Sequence, residues 1–371
     1  MPWQIGLHMK TKPQKFPGQI VLVLQGGGAL GAYQAGVFEA LSHAGIEPDW
    51  VIGTSIGAIN GALIAGNATN SRLARLHDFW LRLAKSPATR WTSLFQGIPS
   101  FYRPRPAAWA GPLALVGLDE ASYYSTEPLK RTLESLVDLK VLAEAKTRLT
   151  MGAVSVSSGE LKYFDSRDAP LRIDHVMASA ALPPAFAAVR VDGEAYWDGG
   201  VYSNTPIEAV LDDHPRRSSV IFSVNVWQPT GVEPKSIWEV MGRQKDIQYA
   251  SRADTHIARQ KQLHQLRHVI RELAKLLPES KRESTGCREL AAYGCGTTMH
   301  IVRLLAPTLD SEDFFKDIDF SGTGIRKRWE AGIRDAQQMI DSAPWNDSFD
   351  PLEGVVVHEL SARTGMRVRE R

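Results

Sequence analysis

Two strand–turn–helix units stand back to back near the start of this chain, and each turn is built around glycines. The apolar run Ile20–Leu24 is of strand length, Gln25-Gly26-Gly27-Gly28 interrupts it, and a helix is predicted over Gly31–Ala44. The pattern then repeats: Trp50–Ile52 reads as a second buried strand, Gly53-Thr54-Ser55-Ile56-Gly57 as the turn, and Ile56–Ala65 as the next helix. Short connections of this kind cannot join antiparallel neighbours through a helix. They place consecutive strands side by side in a parallel sheet covered by helices, so the fold class is α/β.

The alternation continues. A polar amphipathic helix is expected over Ser71–Lys85, another over Glu127–Val137, a strand over Arg148–Val156 and a helix near His175–Ala181. Ala188–Val191 and Glu194–Trp197 flank Asp192-Gly193, the dipeptide of a tight β-hairpin. Ser219–Val226 reads as one more buried strand. Past Pro229 the character changes. Residues 236–277 are strongly helical, His300–Leu305 and Gly354–Leu360 read as short strands, and Thr323–Ile340 as a helix. This gives an N-terminal tail (1–18), an α/β domain (19–230) and a mostly helical C-terminal extension with short strands (231–371). Residues 90–118, rich in proline, aromatics and arginine, lack periodicity and read either as a packed surface loop or as a lid.

Composition narrows the function classes. With 43% hydrophobic and 23% charged residues among 371, the chain can build a large core. A formal net charge of +2 gives no global field for nucleic acid, so no nucleic-acid partner is expected. Cys287 and Cys295 are the only cysteines, without metal-ligand spacing, which points to a reducing, cytoplasmic setting and to no metal site. No run is long and apolar enough for a transmembrane helix. Nothing in the composition specifies an oligomeric state.

Three glycine clusters carry the chemistry. The first, Gly26 to Gly31, aims backbone N–H groups into a concavity at a helix start, a seat for negative charge. Its Gly26-x-Gly28-x-x-Gly31 spacing also fits a dinucleotide turn, but that reading needs an acidic residue ending the second strand. Asp49 lies before that strand instead, so a nucleotide site is demoted. In the second cluster, Gly53-x-Ser55-x-Gly57 matches the G-x-S-x-G elbow at a strand-to-helix junction, with Ser55 as candidate nucleophile; as a bland alternative Ser55 only caps a helix. The third, Asp198-Gly199-Gly200 after Trp197, ends a core strand in a carboxylate, a costly placement unless the acid is used. Asp198 is therefore the candidate base. A Ser-His-Asp triad remains as a rival, with His214, His300 and His358 as its formal candidates.

In this order the three clusters resemble the patatin-like phospholipase family, over roughly Gln19–Val226. The stretch Ala178–Phe186 resembles the family's approach to its Asp-Gly-Gly hairpin. The segments His300–Leu305 and Asp319–Trp329 are similar to a bacterial subgroup with a C-terminal extension. The resemblance implies a three-layer α/β/α sandwich with a mainly parallel sheet, and a serine acyl hydrolase working through a Ser–Asp dyad without metal or organic cofactor. Ser55 would be nucleophile and Asp198 general base. The N–H groups of Gly27 and Gly28, helped by that of Ile56, would form the oxyanion hole. Gly26, Gly31, Gly53, Gly57, Gly199 and Gly200 would be the motif glycines. The substrate would be an acyl ester of a lipid. A non-catalytic lipid-binding protein on the same fold is the second class. One departure stands out: Leu30 occupies the position of the family's basic residue, which removes any cationic headgroup contact there but leaves the backbone donors intact.

Residues 257–277 align Leu263, Leu266, Val269, Ile270, Leu273 and Leu277 on one helical face, with Arg259, Lys261, Arg267, Arg271 and Lys275 largely off it. Docking of this leucine face on the protein's own domain is the preferred reading, and peripheral contact with an anionic membrane the other.

Overall fold

In a computed structural model the structure describes residues 15–84, 101–105, 115–144, 146–250, 252–309, 312, 314–350, 352–360 and 367–368. Its strands are β1 (Gln19–Leu24), β2 (Trp50–Gly53), β3 (Arg103–Pro104), β4 (Tyr124–Ser125), β5 (Arg148–Ser155), β6 (Leu161–Asp165), β7 (Val189–Val191), β8 (Glu194–Asp198), β9 (Ser219–Asn225), β10 (Met299–Leu305), β11 (Val355–Glu359) and β12 (Arg367–Val368). The helices are α1 (Ala32–His43), α2 (Ile56–Ala65), α3 (Arg72–Ala84), α4 (Glu127–Leu136), α5 (Leu139–Ala143), α6 (Ile173–Ser179), α7 (Glu208–Leu211), α8 (Ile237–Ala250), α9 (Ala253–Leu276), α10 (Glu279–Arg282), α11 (Thr285–Ala291) and α12 (Gly322–Ser342).

Ten strands form one sheet in the order β12-β11-β10-β9-β1-β2-β5-β8-β7, with β6 also paired to β5. The run β11-β10-β9-β1-β2-β5 is parallel throughout. β6, β8 and β12 join it antiparallel. Central strands of a parallel sheet are covered on both faces, and β2 and β9 are accordingly buried at every position. Alternate side chains separate into two cores. Leu22, Leu24, Val51 and Leu149 face α1, α2 and α3. Val21, Val23, Trp50 and Ile52 face Ile207, Val210 and Ile257 of the α7–α9 side. The result is helix, sheet, helix: three layers.

The sheet runs across residue 230, because β10 lies beside β9 in register and shares its core. The helical part of the C-terminal region also returns to the first units. α12 packs along α1, where Tyr33 Oη donates to Asp335 Oδ2 at 2.8 Å and Trp329 Nε1 to Glu39 Oε2 at 2.6 Å. That cover explains why α1, apolar on nearly all sides, is buried almost throughout.

The leucine face expected to dock α9 does not do so. The helix is seated through Ala253, Ile257, Gln260, His264 and His268, while Leu266, Leu273 and Leu276 are exposed. Three of those seated side chains are polar; His268 Nε2 bonds Thr297 O at 2.9 Å and Gln260 Nε2 donates to Asp212 Oδ1. Polar partners waiting on the docking face decide the helix's rotation, and a hydropathy pattern cannot register them. Among the described residues no helix is long and apolar enough to cross a membrane. Cys287 and Cys295 are both free.

Candidate functional site

β1 and β2 end at the same edge of the sheet, so their glycine turns lie side by side. Leu24 is in register with Gly53, which brings the turn after β1 next to Ser55. Ser55 caps α2 at φ 57, ψ −125, a left-handed backbone that non-glycine residues rarely adopt. The strain is held from outside: Ser55 N donates to Ser179 O at 3.0 Å and to Ser179 Oγ at 3.3 Å. Gly57 lets α2 start this close to β1, since a Cβ there would strike the Leu24 carbonyl.

Asp198 arrives on β8, which pairs with β5 just beyond the end of β2. Register pairs Met151 with Gly53 and Ala153 with Asp198, and because β6 takes the other flank of β5 at both Met151 and Ala153, β2 and β8 follow one another along a single flank and bring the two residues to the same end of the sheet. The last turn of α6 ties them together, because Ala181 O accepts from Asp198 N at 3.0 Å just beyond the Ser179 contact to Ser55. Asp198 is 1% exposed. Its Oδ1 accepts from Gly200 N at 2.7 Å, while Oδ2 is buried without a partner in full hydrogen-bond geometry. Burial pushes this carboxyl up from 3.8 to about 7, against the smaller opposing pull of the Ser55 hydroxyl and the Gly200 amide.

The glycine-rich turn completes the site. Its base is fixed by polar contacts: Gln25 Nε2 donates to Thr205 Oγ1 at 2.7 Å, Trp227 Nε1 to Gly26 O at 2.7 Å, and Asn204 Nδ2 to Gly26 O at 3.0 Å. Gly26 N donates to Asn204 O, Ala29 N to Asp317 O at 2.8 Å and Leu30 N to Gly27 O. The N–H groups of Gly27, Gly28 and Ile56 have no acceptor among the described residues. Gly28 sits at φ +54 with the Asp317 carbonyl where a Cβ would be. Gly28→Ala is expected to shift the turn, lowering kcat about 10²–10³-fold with a smaller change in KM, as steady-state kinetics would read. Leu30, where a cation was expected from the resemblance, is 3% exposed in the apolar core and points away from solvent.

Gly26, Gly27, Gly28, Ser55, Ile56, Asp198 and Gly200 all line one cleft of about 900 Å³ including its open mouth. Gly31, Gly53, Gly57 and Gly199 do not; each makes room for a close approach of neighbouring chain below the surface. Most of the rest of the lining is apolar, with Ile59, Phe79, Leu83, Leu129, Leu182 and Phe186. The lid expected over 90–118 falls mostly outside the described residues. Of its described part, Phe101 stacks on Phe79 at 5.5 Å and Tyr102 lies 4.5 Å from Phe186, both inside the cleft.

Several groups at the site carried no sequence signal. Tyr102 and Tyr249 line the cleft, and burial reinforced by the nearby Asp198 charge raises both phenols, so they stay protonated. Asp317 acts through its main-chain carbonyl, which no motif encodes. Ser179 is the one that a motif could have located, inside the Ala178–Phe186 stretch.

The rival assignments find no support in position. His214 is exposed beside Arg216, and His300 Nδ1 meets His358 Nε2 at 3.0 Å in the β10–β11 pair; none of the three lines the cleft. Asp49 Oδ2 accepts from Ile20 N at 2.7 Å, at the opposite end of β1 from the glycine turn, where it cannot reach a ligand bound there.

Comparison with known proteins shows the family. The sequence model described as "Patatin-like phospholipase" matches residues 22–211, and a second, "Patatin phospholipase", matches 247–352. The chain is 30% identical over 205 residues to the cGAMP-activated phospholipase of Pseudomonas aeruginosa, covering 51% of this chain and 55% of that protein. It is 62% identical over 47 residues to lysophospholipase nte1 of Aspergillus terreus, 13% of this chain and 3% of that protein. The chain therefore spans little more than half the length of these relatives at most. The crystal structure of VipD from Legionella pneumophila aligns over 90% of this chain and 72% of that one at TM-score 0.41 and 15% identity, too loosely to carry an argument. With the family's sequence model matched across residues 22–211, more than half of the chain, the chain belongs to the patatin-like phospholipase family.

Proposed function

We propose that this protein is a serine acyl hydrolase that cleaves acyl esters of lipids through Ser55 and Asp198. The observation that carries the reading is a strained serine and a buried carboxyl, raised to about 7, in one largely apolar cleft beside three backbone N–H groups without an acceptor among the described residues. Ser55 Oγ attacks the ester carbonyl as its proton passes to Asp198. The oxyanion is held by the amides of Gly27, Gly28 and Ile56. Collapse breaks the ester bond, and the departing alcohol takes the proton from Asp198. A water molecule then gives its proton to Asp198 and attacks the acyl-enzyme, releasing the fatty acid and restoring the serine. No metal or organic cofactor enters these steps. Phenylalanine and leucine side chains along the cleft match an acyl chain rather than a polar head.

The test is labelling by a fluorophosphonate, followed by hydrolysis of p-nitrophenyl esters and phospholipids of graded chain length. Labelling that depends on Ser55 supports the reading; binding of lipid with no labelling and no hydrolysis favours the non-catalytic alternative. A pH profile adds an independent check. Asp198 works as a base only when ionised, so kcat/KM is expected to climb with pH through about 7 and then level off. A rate flat from pH 5 to 8 would remove Asp198 from the role.

A further inference from the structure

The apolar residues of α8 point the wrong way for a core. Ile237, Val240, Met241, Gln244, Ile247 and Gln248 follow the i, i+3, i+4, i+7 spacing of a single helical face and carry no charge. Such a stripe normally packs inward, yet no residue of α8 is buried. Ile237 is 79% exposed, Val240 52% and Ile247 53%. The helix instead meets the protein through its other side, where Trp238 lies 5.6 Å from Phe314, Lys245 pairs with Asp317 at 2.9 Å and Asp246 with Lys316 at 2.7 Å.

This face is continuous with the mouth of the cleft. Tyr249, on the last turn of α8, lines the cleft, and so do Asp317 and the 42% exposed Ile318 of the turn it packs against. Asp317 is also the residue whose carbonyl holds Ala29 in the glycine-rich turn. Four cations against two carboxylates lie between Lys235 and Arg252, and the turn at 314–318 adds one of each sign, Lys316 and Asp317, so this surface carries a small positive excess. Half-exposed Trp238 belongs to the residue type that favours the boundary between water and hydrocarbon.

We propose that the outward face of α8, with the adjoining turn at 314–318, is the surface by which this protein lies on an anionic lipid layer, its cleft opening onto that layer. The proposal rests on the lipid-ester reading for its purpose, but binding is measurable without catalysis. An amphipathic face set parallel to the interface adds buried apolar area and basic charge, the two sources of affinity for such helices. The leucines left exposed on α9 have no comparable link to the cleft, so they are the internal comparison.

The test is flotation of the full chain, carrying Ser55→Ala so that lipid is not consumed, with vesicles of equimolar phosphatidylcholine and phosphatidylglycerol at low salt. Combined Ile237→Gln, Val240→Gln and Ile247→Gln is expected to lower vesicle binding at least about tenfold. The same three changes in the otherwise unaltered enzyme should leave hydrolysis of a dissolved short-chain ester and the thermal transition at their original values. Leu266→Gln, Leu273→Gln and Leu276→Gln together should leave vesicle binding unchanged. The proposal is overturned if the starting protein does not float with the vesicles, or if the α8 changes leave flotation intact. It also falls if those changes only split a dimer in sedimentation, which would make the face a contact between copies of the chain. Failure of the hydrolase reading would show separately, as absent ester hydrolysis.

Discussion

Ser55→Ala is expected to lower ester hydrolysis by about 10⁴–10⁶-fold, the loss that follows when a serine nucleophile is removed from an acyl-transfer site. Fluorophosphonate labelling should vanish with it. Fold should survive, because the contacts that hold this elbow come from backbone: Ser55 N donates to Ser179, and Ala58 N and Ile59 N both donate to Ser55 O. Alanine inherits the same unfavourable φ of 57 and the same amide contacts, so the thermal transition should move by only a few degrees. Turnover retained at even a tenth of the original value would refute the nucleophile assignment, since the backbone donors alone cannot supply a covalent intermediate.

Asp198→Asn is expected to cut turnover about 10³–10⁴-fold and, at the same time, to stabilise the fold at neutral pH. The two effects have one cause. The carboxyl's folded-state value, about 7, lies above its ordinary 3.8, so the folded chain holds the proton more tightly than the unfolded one. Stability from this group is therefore fully present below about pH 4 and lost as pH rises through about 7. Above that, burying the charge costs on the order of 4 kcal/mol, which the neutral amide avoids while still accepting from Gly200. Thermal melts of wild type and variant at pH 4 and pH 8 should converge at the lower value and separate at the higher. Parallel melts at both would show that the carboxyl is not ionised in place, and the base would have to be sought elsewhere.

Such a trade, a costly charge kept where chemistry needs it, was partly readable in the chain. An acid ending the half-buried strand Glu194–Asp198 breaks the local pattern, and that breach made Asp198 a candidate. Ser55 was readable for a similar reason, since G-x-S-x-G between a strand and a helix leaves few other conformations. The Asp192-Gly193 turn is equally local: both residues take positive φ, as the dipeptide demands. By contrast, Tyr102, Tyr249 and Asp317 come to the cleft from segments with no distinctive spacing. The seating of α9 on Gln260, His264 and His268 misled a hydropathy reading because its partners, Thr297 and Asp212, are brought by other parts of the chain.

By itself the sequence determined the alternation of strands, turns and helices, the parallel sheet that short crossovers impose, and the three glycine clusters. These depend on residues within a few positions of one another, where periodicity and backbone sterics act directly. Only the tertiary structure decided that β2 and β8 bring Ser55 and Asp198 along one flank of β5, that β10 and β11 carry the sheet past residue 230, and that the stripe of α8 faces outward. Register and burial join segments far apart in the chain, and a carboxyl near 7 exists only where such segments together exclude water.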